Sequence, residues 1–370
     1  MNPTLIGSPD VVSQVTGNHQ LQSALRSVFW LRTGVVWCAL VCILVGRAAP
    51  PMAAQSAAGT IPLRPAPDIA GVIKGGTAPQ LIAAGLNGAD DPVWIPTIGL
   101  VFSEPNANRI VRLSDANTLT TFVGGLHAPL GMTFDSQGRL ISLQSEAGFT
   151  SVRVVWPPGK EATLADRFGG LPFSRPNGVT VDRKGGVYLT DPGLNPAQEE
   201  QLRKAGPRLP PAVYYIPAGG APIRVAEGIA RPNGIHLSRD ENTLYVNDTN
   251  GLESFAFDVL PDGRLTNRRV FATYAGRTLP LGATEGVASG ADDLVIDYEG
   301  RVYAITAAGI EVLTAAGQPL GIIPVVCSPT GARCQALAFG GADKRTLYVA
   351  GAGTLLEIQM IAQGFTGRAK

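Results

Sequence analysis

The chain has 370 residues, of which 45 are glycine and 29 are proline, while only 16% are charged. Because glycine and proline favour turns, this composition predicts many short elements and excludes a protein built from long helices. The formal net charge of +1, without a dense Lys/Arg run, argues against nucleic acid as a partner.

The first part of the chain differs from the rest. An uncharged run of 14 residues, TGVVWCALVCILVG, lies between Arg32 and Arg47. It is short of the roughly 20 apolar residues that a membrane span needs and suits the apolar region of a signal peptide, with cleavage after Ala58 as one possibility. An uncleaved anchor is the alternative. We therefore predict an export signal or anchor with a short linker over residues 1–58 and a periplasmic or secreted protein.

The cysteines agree with export. Cys38 and Cys42 lie within the apolar run, whereas Cys327 and Cys334 flank the turn sequence CSPTGARC. The second pair can close a small disulfide loop in an oxidising compartment, which is the interpretation that export favours. Two buried free thiols are the alternative.

The rest of the chain repeats one sequence pattern. RPNGVTVDRKGGVYLTD begins at Arg175, and RPNGIHLSRDENTLYVND begins at Arg231. Each copy joins a loop, a strand of alternating apolar residues, a turn and a second strand. The six copies begin at Ala89, Pro129, Pro176, Pro232, Ala291 and Gln335.

The repeats predict the fold. Further strand-like runs between the copies bring the total to roughly four strands per repeat, which is typical of a six-bladed β-propeller. A double β-sandwich could use the same strands but would not need six similar copies. Helical periodicity is nearly confined to PAQEEQLRKAG, a short helix at most. We predict an all-β, six-bladed propeller over residues 68–363.

Equivalent loops of a propeller open at the same end of the central channel, so residues in the same register should converge there. The residues in that register are Asp90, Leu130, Asn177, Asn233, Asp292 and Ala336. Four of them carry side-chain oxygens, and such a set suits Ca²⁺, which takes six to eight oxygen ligands. Asparagine before glycine is also a favoured turn residue, so a purely structural role is the alternative.

The sequence resembles the senescence marker protein/regucalcin/gluconolactonase family over about residues 80–360. The resemblance is carried by DPVW, the two RPNG phrases, EGRVYAIT and FGGADKRTLYVA. It implies a six-bladed propeller that binds one divalent cation in its channel and often hydrolyses lactones. Diisopropylfluorophosphatase and the paraoxonases are similar in fold and site. The metal ligands of the family correspond to Asp90, Asn177, Asn233 and Asp292.

Two departures from the family pattern concern this site. Asp90 stands where the family has glutamate, and the family's Pro-Asp-Gly has become Ala-Asp-Asp, which places Asp293 beside Asp292. The shorter arm of Asp90 leaves both metal and substrate preference open. We expect Ca²⁺ or another divalent cation such as Mg²⁺, Mn²⁺ or Zn²⁺.

The motifs limit the chemistry. HExxH, GxSxG and phosphate-loop signatures do not occur, so metal-assisted hydrolysis remains, with Asp292 as the predicted general base. The family resemblance implies that the substrate is a sugar lactone or related ester. If Asp292 attacked directly, the same site would hydrolyse phosphotriesters, and an arylesterase is a further alternative. His127 and Asp293 are predicted substrate contacts, whereas His236 is expected to pack within a strand.

The predicted partner is a small-molecule substrate, with no nucleic acid, and with membrane contact only through an uncleaved N-terminal segment. The rival from another class is a non-catalytic propeller that binds a ligand or a protein through the same face.

Overall fold

The computed structural model describes residues 60–114, 117–202 and 206–367. The predicted export segment lies outside these residues. Within them, no helix is both long and apolar enough to cross a membrane.

The described chain forms strands β1 to β26 and one short helix, α1. The first strand, β1, is Gln80–Ala84. The first blade contains β2 to β5, at Asp90–Ile95, Gly99–Glu104, Arg109–Leu113 and Leu119–Val123. The second contains β6 to β9, at Pro129–Phe134, Leu140–Glu146, Phe149–Trp156 and Ala162–Ala165. A small hairpin follows, with β10 at Arg167–Phe168 and β11 at Leu171–Pro172.

The third blade is interrupted by the helix. It contains β12 to β15, at Val179–Val181, Val187–Asp191, Ala212–Ile216 and Ile223–Glu227, with α1 at Pro196–Leu202 between its second and third strands. The fourth contains β16 to β19, at Pro232–Leu237, Thr243–Asp248, Glu253–Val259 and Leu265–Thr273. The fifth contains β20 to β23, at Leu294–Ile296, Val302–Thr306, Gly309–Leu313 and Pro319–Ile323. The last three strands, β24 to β26, are Ala336–Gly340, Thr346–Gly351 and Thr354–Gln359.

These strands make six four-stranded antiparallel sheets, which confirms the predicted number of blades. The first strands of successive sheets contact one another in a closed ring, from β2 through β6, β12, β16 and β20 to β24 and back to β2. They therefore line the central channel. Each begins within two residues of the position at which the repeated phrase predicts a site residue.

The ring is closed by the N-terminal part of the propeller. β1 pairs with β26 and becomes the outermost strand of the sixth blade, in the order β1-β26-β25-β24. This exchange was not predicted from the repeats, because β1 lacks the repeated phrase. It leaves neither terminal blade with an incomplete sheet.

Burial follows the order of the strands within a blade. All residues of β13, β16 and β21 are buried, including polar ones such as Asn233 and His236. The outermost strand β19 is mostly exposed. Inner strands pack between neighbouring blades on both faces, so they lose the alternation that one solvated face produces.

Carboxylates close the turns between the first and second strands. The Oδ1 of Asp135 accepts hydrogen bonds from the backbone amides of Gln137 and Arg139 at 2.9 and 2.8 Å, and Asp297 does the same for Glu299 and Arg301 at 2.9 Å each. The glycine within each turn has a positive φ, 76° at Gly138 and 81° at Gly300. The D-x-x-G pattern is therefore a turn signature, because only glycine adopts this conformation without strain.

The turn between β24 and β25, the first and second strands of the sixth blade, contains a buried lysine. The Nζ of Lys344 donates to the carbonyl of Phe339 at 3.1 Å, and burial lowers the Lys344 pKa from its ordinary 10.5 to about 8. Below pH 8 the lysine is charged in both the folded and the unfolded chain, so the cost of burying the charge is fully present. Between pH 8 and 10.5 the folded protein loses this proton first.

We therefore expect the free energy of unfolding of the wild-type protein to rise through this window by roughly 3 kcal/mol relative to Lys344→Met, at ~1.4 kcal/mol per pKa unit. Chemical denaturation of both proteins at pH 7.5 and 10.5 measures the difference, and the variant cancels contributions from other groups. Equal pH dependence in the two proteins would contradict the assignment.

Candidate functional site

The loops that enter the inner strands are held by polar side chains from the second strand of the same blade. The Oε1 of Glu104 accepts from the amide of Asn87 at 2.8 Å, and the Oε1 of Gln144 accepts from the amide of His127 at 2.8 Å. Asp191 and Asp248 do the same in the third and fourth blades. The loops before the inner strands of the first four blades are thus anchored at one end of the channel.

Asp191 makes the most complete of these anchors. Its Oδ2 accepts from the amide of Ser174 at 2.6 Å, and its Oδ1 accepts from those of Arg175 and Gly193 at 2.9 and 3.2 Å. Burial raises the pKa of Asp191, and the three amides act in the opposite direction. The carboxylate fixes the backbone immediately before Asn177.

Neighbouring inner loops are in direct backbone contact. A Cβ at Gly178 would overlap the carbonyl oxygen of Asn233, and a Cβ at Gly234 would overlap that of Asp292. The amide of Gly234 donates to this same carbonyl at 3.1 Å. The glycine of the repeated Asn-Gly is therefore required for close approach, and the loops of Asn177, Asn233 and Asp292 are consecutive neighbours around the channel.

We expect Gly234→Ala to lower the free energy of unfolding by about 1–3 kcal/mol, because its Cβ would meet backbone atoms that cannot rotate away. The Asp293 Cα lies 2.7 Å from that Cβ position. Gly124→Ala is the matched control, since its Cβ would meet only the Thr121 side chain at 3.6 Å. Equal melting temperatures for the two variants would show that the loops do not depend on this contact.

The carboxylates of Asp90, Asp292 and Asp293 lie at this end of the channel, close enough for their charges to affect one another's surroundings. Asp292 and Asp293 are both buried, with exposed fractions of 9% and 7%. Burial raises the pKa of Asp293 well above its ordinary value, and the charges of Asp292 and Asp90 add to the rise. The Oδ2 of Asp293 accepts from the Leu337 amide at 3.4 Å, which links the fifth blade to the sixth. Substrate contact by Asp293 stays a prediction.

The first blade contributes a second acid that was not predicted. Asp91 follows Asp90, is buried, and has a φ of 37°, which is unusual for a residue with a side chain. Its Oδ2 accepts a hydrogen bond from the amide of Met132, so it connects the first blade to the second. The Asp90 Oδ1 accepts from the Asp91 amide at 2.9 Å.

Three arginines stand among these acids, and the sequence analysis did not identify them. Burial lowers the pKa of Arg175, although the charges of Asp90 and Asp292 oppose this effect. Burial also lowers the pKa of Arg231 to about 10, with a further contribution from the positive charge of Arg175. The signal was present in the sequence, since an arginine precedes both Pro-Asn-Gly copies.

The third arginine pairs with the predicted catalytic residue. The Nη1 of Arg333 lies 2.5 Å from the Oδ2 of Asp292, and the charge of Asp292 raises the pKa of Arg333. The structure joins Cys327 to Cys334 by a disulfide with the Cα atoms 5.0 Å apart. The disulfide closes the loop that carries Arg333, so it restricts the position of this guanidinium relative to Asp292.

The two predicted asparagine ligands present amide oxygens. The Nδ2 of Asn233 donates to the Oγ1 of Thr249 at 2.9 Å, which orients the amide and leaves its Oδ1 without a partner among the described residues. Side-chain bonds of Asn177 are likewise absent from the described part of the chain. Two amide oxygens beside two carboxylates are the donor chemistry that a hard divalent cation prefers.

The residue types therefore fit a divalent cation at Asp90, Asn177, Asn233 and Asp292. The ion pair with Arg333 engages only one oxygen of Asp292. In residues 60–114, 117–202 and 206–367, no group of three or more His, Cys, Asp or Glu side chains is arranged to hold a metal ion. The convergence of the four side chains on one ion stays a prediction.

The two histidines occupy different environments. The Nδ1 of His127 lies 2.7 Å from the Oε2 of Glu146, and its ring stacks on Phe149 with the centroids 5.0 Å apart. The His127 side chain is 42% exposed at the entrance to the second blade, which leaves it accessible to a ligand. His236 is buried on β16 with its Nδ1 2.7 Å from the carbonyl of Leu237, as expected for a residue packed in a strand.

A cavity of about 430 Å³ opens beside the acids. Its lining includes Asp90, Leu130, Arg175 and Gln335, which come from four different blades. This volume lies in the range of small-molecule sites. A carboxylate and a half-buried guanidinium thus border a space in which a small polar ligand can bind.

The fold and the site define a class: a six-bladed propeller whose channel entrance combines acids, amides and buried or half-buried arginines. Residues 89–353 match the family model for the SMP-30/gluconolactonase/LRE-like region. The chain belongs to this family, and the resemblance noted in the sequence is confirmed.

Individual relatives agree with the family. The chain is 24% identical over 276 residues to a gluconolactonase from Zymomonas mobilis, covering 70% of this chain and 75% of the relative. A gluconolactonase structure from Xanthomonas campestris is 25% identical, with a TM-score of 0.66, covering 85% of this chain and 99% of that chain. These similarities support a lactonase or related hydrolase function.

A third structure resembles the chain in fold alone. It is a calcium-binding protein, regucalcin, from Agrobacterium tumefaciens, which is 18% identical with a TM-score of 0.60. The similarity covers 78% of this chain and 96% of that one.

Proposed function

We propose that the protein is an exported, divalent-cation-dependent hydrolase that opens sugar lactones or related esters. The observation that supports the proposal is the backbone contact between the neighbouring inner loops to which Asn177, Asn233 and Asp292 belong. Family membership supports the reaction class. Ca²⁺ is the cation that we favour, because the proposed ligands are all oxygens.

Asp90, Asn177, Asn233 and Asp292 would hold the cation. When bound, a divalent cation supplies Lewis-acid polarisation of the ester carbonyl. Proton transfer and substrate binding are the roles of the protein's own side chains.

Asp292 is the general base. Arg333 binds its Oδ2 at 2.5 Å, and Oδ1 has no partner in the described ranges. The carboxylate is therefore fixed at Oδ2, and the two lone pairs of Oδ1 remain for the cation and for a proton from water. A positioned base of this kind contributes about 10²–10⁴-fold to a rate.

Arg175 is positioned to bind the substrate. It lines the same cavity as Asp90, and its position is set by the hydrogen bond from its amide to Asp191. A buried guanidinium offers donors to the oxygen that becomes negative as the ester bond breaks. His127, half-exposed at the entrance, is a proposed contact for the outer part of the substrate.

The proposed export rests on the N-terminal sequence and is supported by the disulfide between Cys327 and Cys334. Disulfides persist mainly in oxidising compartments.

A lactone panel with and without chelator tests the function. We expect hydrolysis of aldonolactones by protein supplied with Ca²⁺, and a loss of about 100-fold or more after chelation, because Lewis-acid stabilisation contributes several kcal/mol. Restoration with Ca²⁺ or Mn²⁺ identifies the preferred ion. Turnover that is indifferent to chelation would refute cation dependence. If Ca²⁺ raises the melting temperature and no ester or lactone is hydrolysed, the protein is a ligand-binding propeller.

A further inference from the structure

A second cavity lies next to the channel entrance, between the third and fourth blades. Its volume is about 390 Å³. The loop after β13, helix α1 and the segment before β14 form one side, and residues that precede β16 form the other. The polar side chains that matter here are those of Glu199, Arg208, Arg231 and Asn250.

The cavity contains two guanidinium groups that form no ion pair with an acid in the described ranges, although acids such as Asp292 and Glu199 act on Arg231 from a greater distance. Arg231 is 8% exposed, and its Nη1 makes only long contacts to the carbonyls of Pro192 and Leu194, at 3.4 and 3.3 Å. The Nε of Arg208 is buried and has no hydrogen-bond partner in the described part of the chain. Burying a charge without a counter-ion is costly, so both arginines are placed to gain from an anion.

The other polar groups are consistent with an anion that also carries hydroxyls. The Oδ1 of Asn250 accepts from the Leu281 amide at 2.9 Å, and its Nδ2 has no partner among the described residues. Glu199 is the acid on the lining, and it is exposed. Two cations against one solvated carboxylate leave the cavity positively charged.

Arg231 connects this cavity to the catalytic end of the channel. Ser174 lines this cavity, and the next residue, Arg175, lines the cavity beside Asp90, so the two cavities are neighbours. An anion held by Arg208 and Arg231 therefore lies next to the cavity proposed for the substrate. A ligand with one reactive ester and one separate negative group would occupy both cavities at once.

We propose that this cavity binds the carboxylate of an acidic sugar lactone, so that the substrate is a lactone that keeps a free carboxylate. The inference rests on the proposed lactonase function. The reaction adds the oxygen of water to the acyl carbon, breaks the ring carbon–oxygen bond and leaves a hydroxyl. One proton is released as the new carboxyl group ionises, and the product is a dicarboxylate.

The kinetic test compares D-glucaro-1,4-lactone with D-glucono-1,4-lactone, which have the same ring and differ in the terminal carboxylate. We expect the wild-type protein to have the lower KM for the acidic lactone. Arg208→Gln should raise that KM at least tenfold, equivalent to ~1.4 kcal/mol, and leave the neutral lactone unchanged. Arg208→Lys should retain part of the preference. Arg264→Gln, an exposed arginine in a turn, is the matched control.

A binding test separates this inference from the proposed function. Calorimetry with the products D-glucarate and D-gluconate requires no turnover, and we expect glucarate to bind more tightly by a margin that Arg208→Gln removes. If this holds while no lactone is hydrolysed, the anion site stands and the proposed function fails. If lactones are hydrolysed but wild type treats the two products and the two lactones alike, the anion site is wrong and the proposed function stands. If Arg208→Gln lowers the melting temperature, the anion site is judged from Arg208→Lys and from the wild-type preference for the acidic over the neutral ligands.

Discussion

An Asp292→Asn variant is expected to lose about 10²–10⁴-fold in kcat on aldonolactones, because the amide cannot accept the proton that the carboxylate takes from water. Asparagine preserves the shape of the side chain, so KM should change less than kcat. Asp292 is also paired with Arg333 at 2.5 Å, and its loss leaves a largely buried guanidinium without its acid. The same variant should therefore also unfold at a lower temperature.

Two further variants separate these effects. Arg333→Gln removes the ion pair and keeps the base, so it should be more active than Asp292→Asn. Asp262→Asn changes an exposed acid in a turn and should match wild type. The rates come from initial-velocity measurements at saturating lactone, with circular dichroism to confirm folding. Activity of Asp292→Asn within tenfold of wild type would exclude Asp292 as the general base.

Asp191→Ala is expected to destabilise the protein by about 3–5 kcal/mol, because it leaves three backbone amides of a largely buried loop without their acceptor. The amides belong to Ser174, Arg175 and Gly193. The variant also no longer carries the cost of burying the ionised carboxylate, which offsets part of the loss, but the three amides stay without an acceptor.

Urea denaturation measures this effect, and Asp191→Asn should recover part of it because its carbonyl oxygen can still accept. Asp166→Ala, an exposed acid paired with Arg167, is the control for loss of a surface carboxylate. If Asp191→Ala and Asp166→Ala have the same denaturation midpoint, the anchoring role of Asp191 is wrong. We expect the activity of folded Asp191→Ala to fall as well, because Arg175 and Asn177 follow the anchored amides.

The repeated phrase was sufficient to predict the number of blades and the start of each inner strand. The phrase combines two locally determined features, a D-x-x-G turn fixed by an aspartate and apolar residues that suit a strand buried on both faces. The same register selected Asn177, Asn233 and Asp292, whose loops the structure places next to one another. Symmetry of the fold turns sequence register into spatial proximity, which is why this part of the site was accessible from the sequence.

Other features depended on contacts between distant segments. β1 completes the sixth blade although it lacks the repeat, because the last sheet needs an outer strand and not a particular motif. Arg333 pairs with Asp292 from a loop 41 positions later in the chain. Arg208 and Arg231 line the same cavity, which the sequence around neither residue predicts. Local pattern determined which residues line the channel. The tertiary structure alone decided which charges they meet, because Coulomb interactions and burial act through space and leave no periodic trace along the chain.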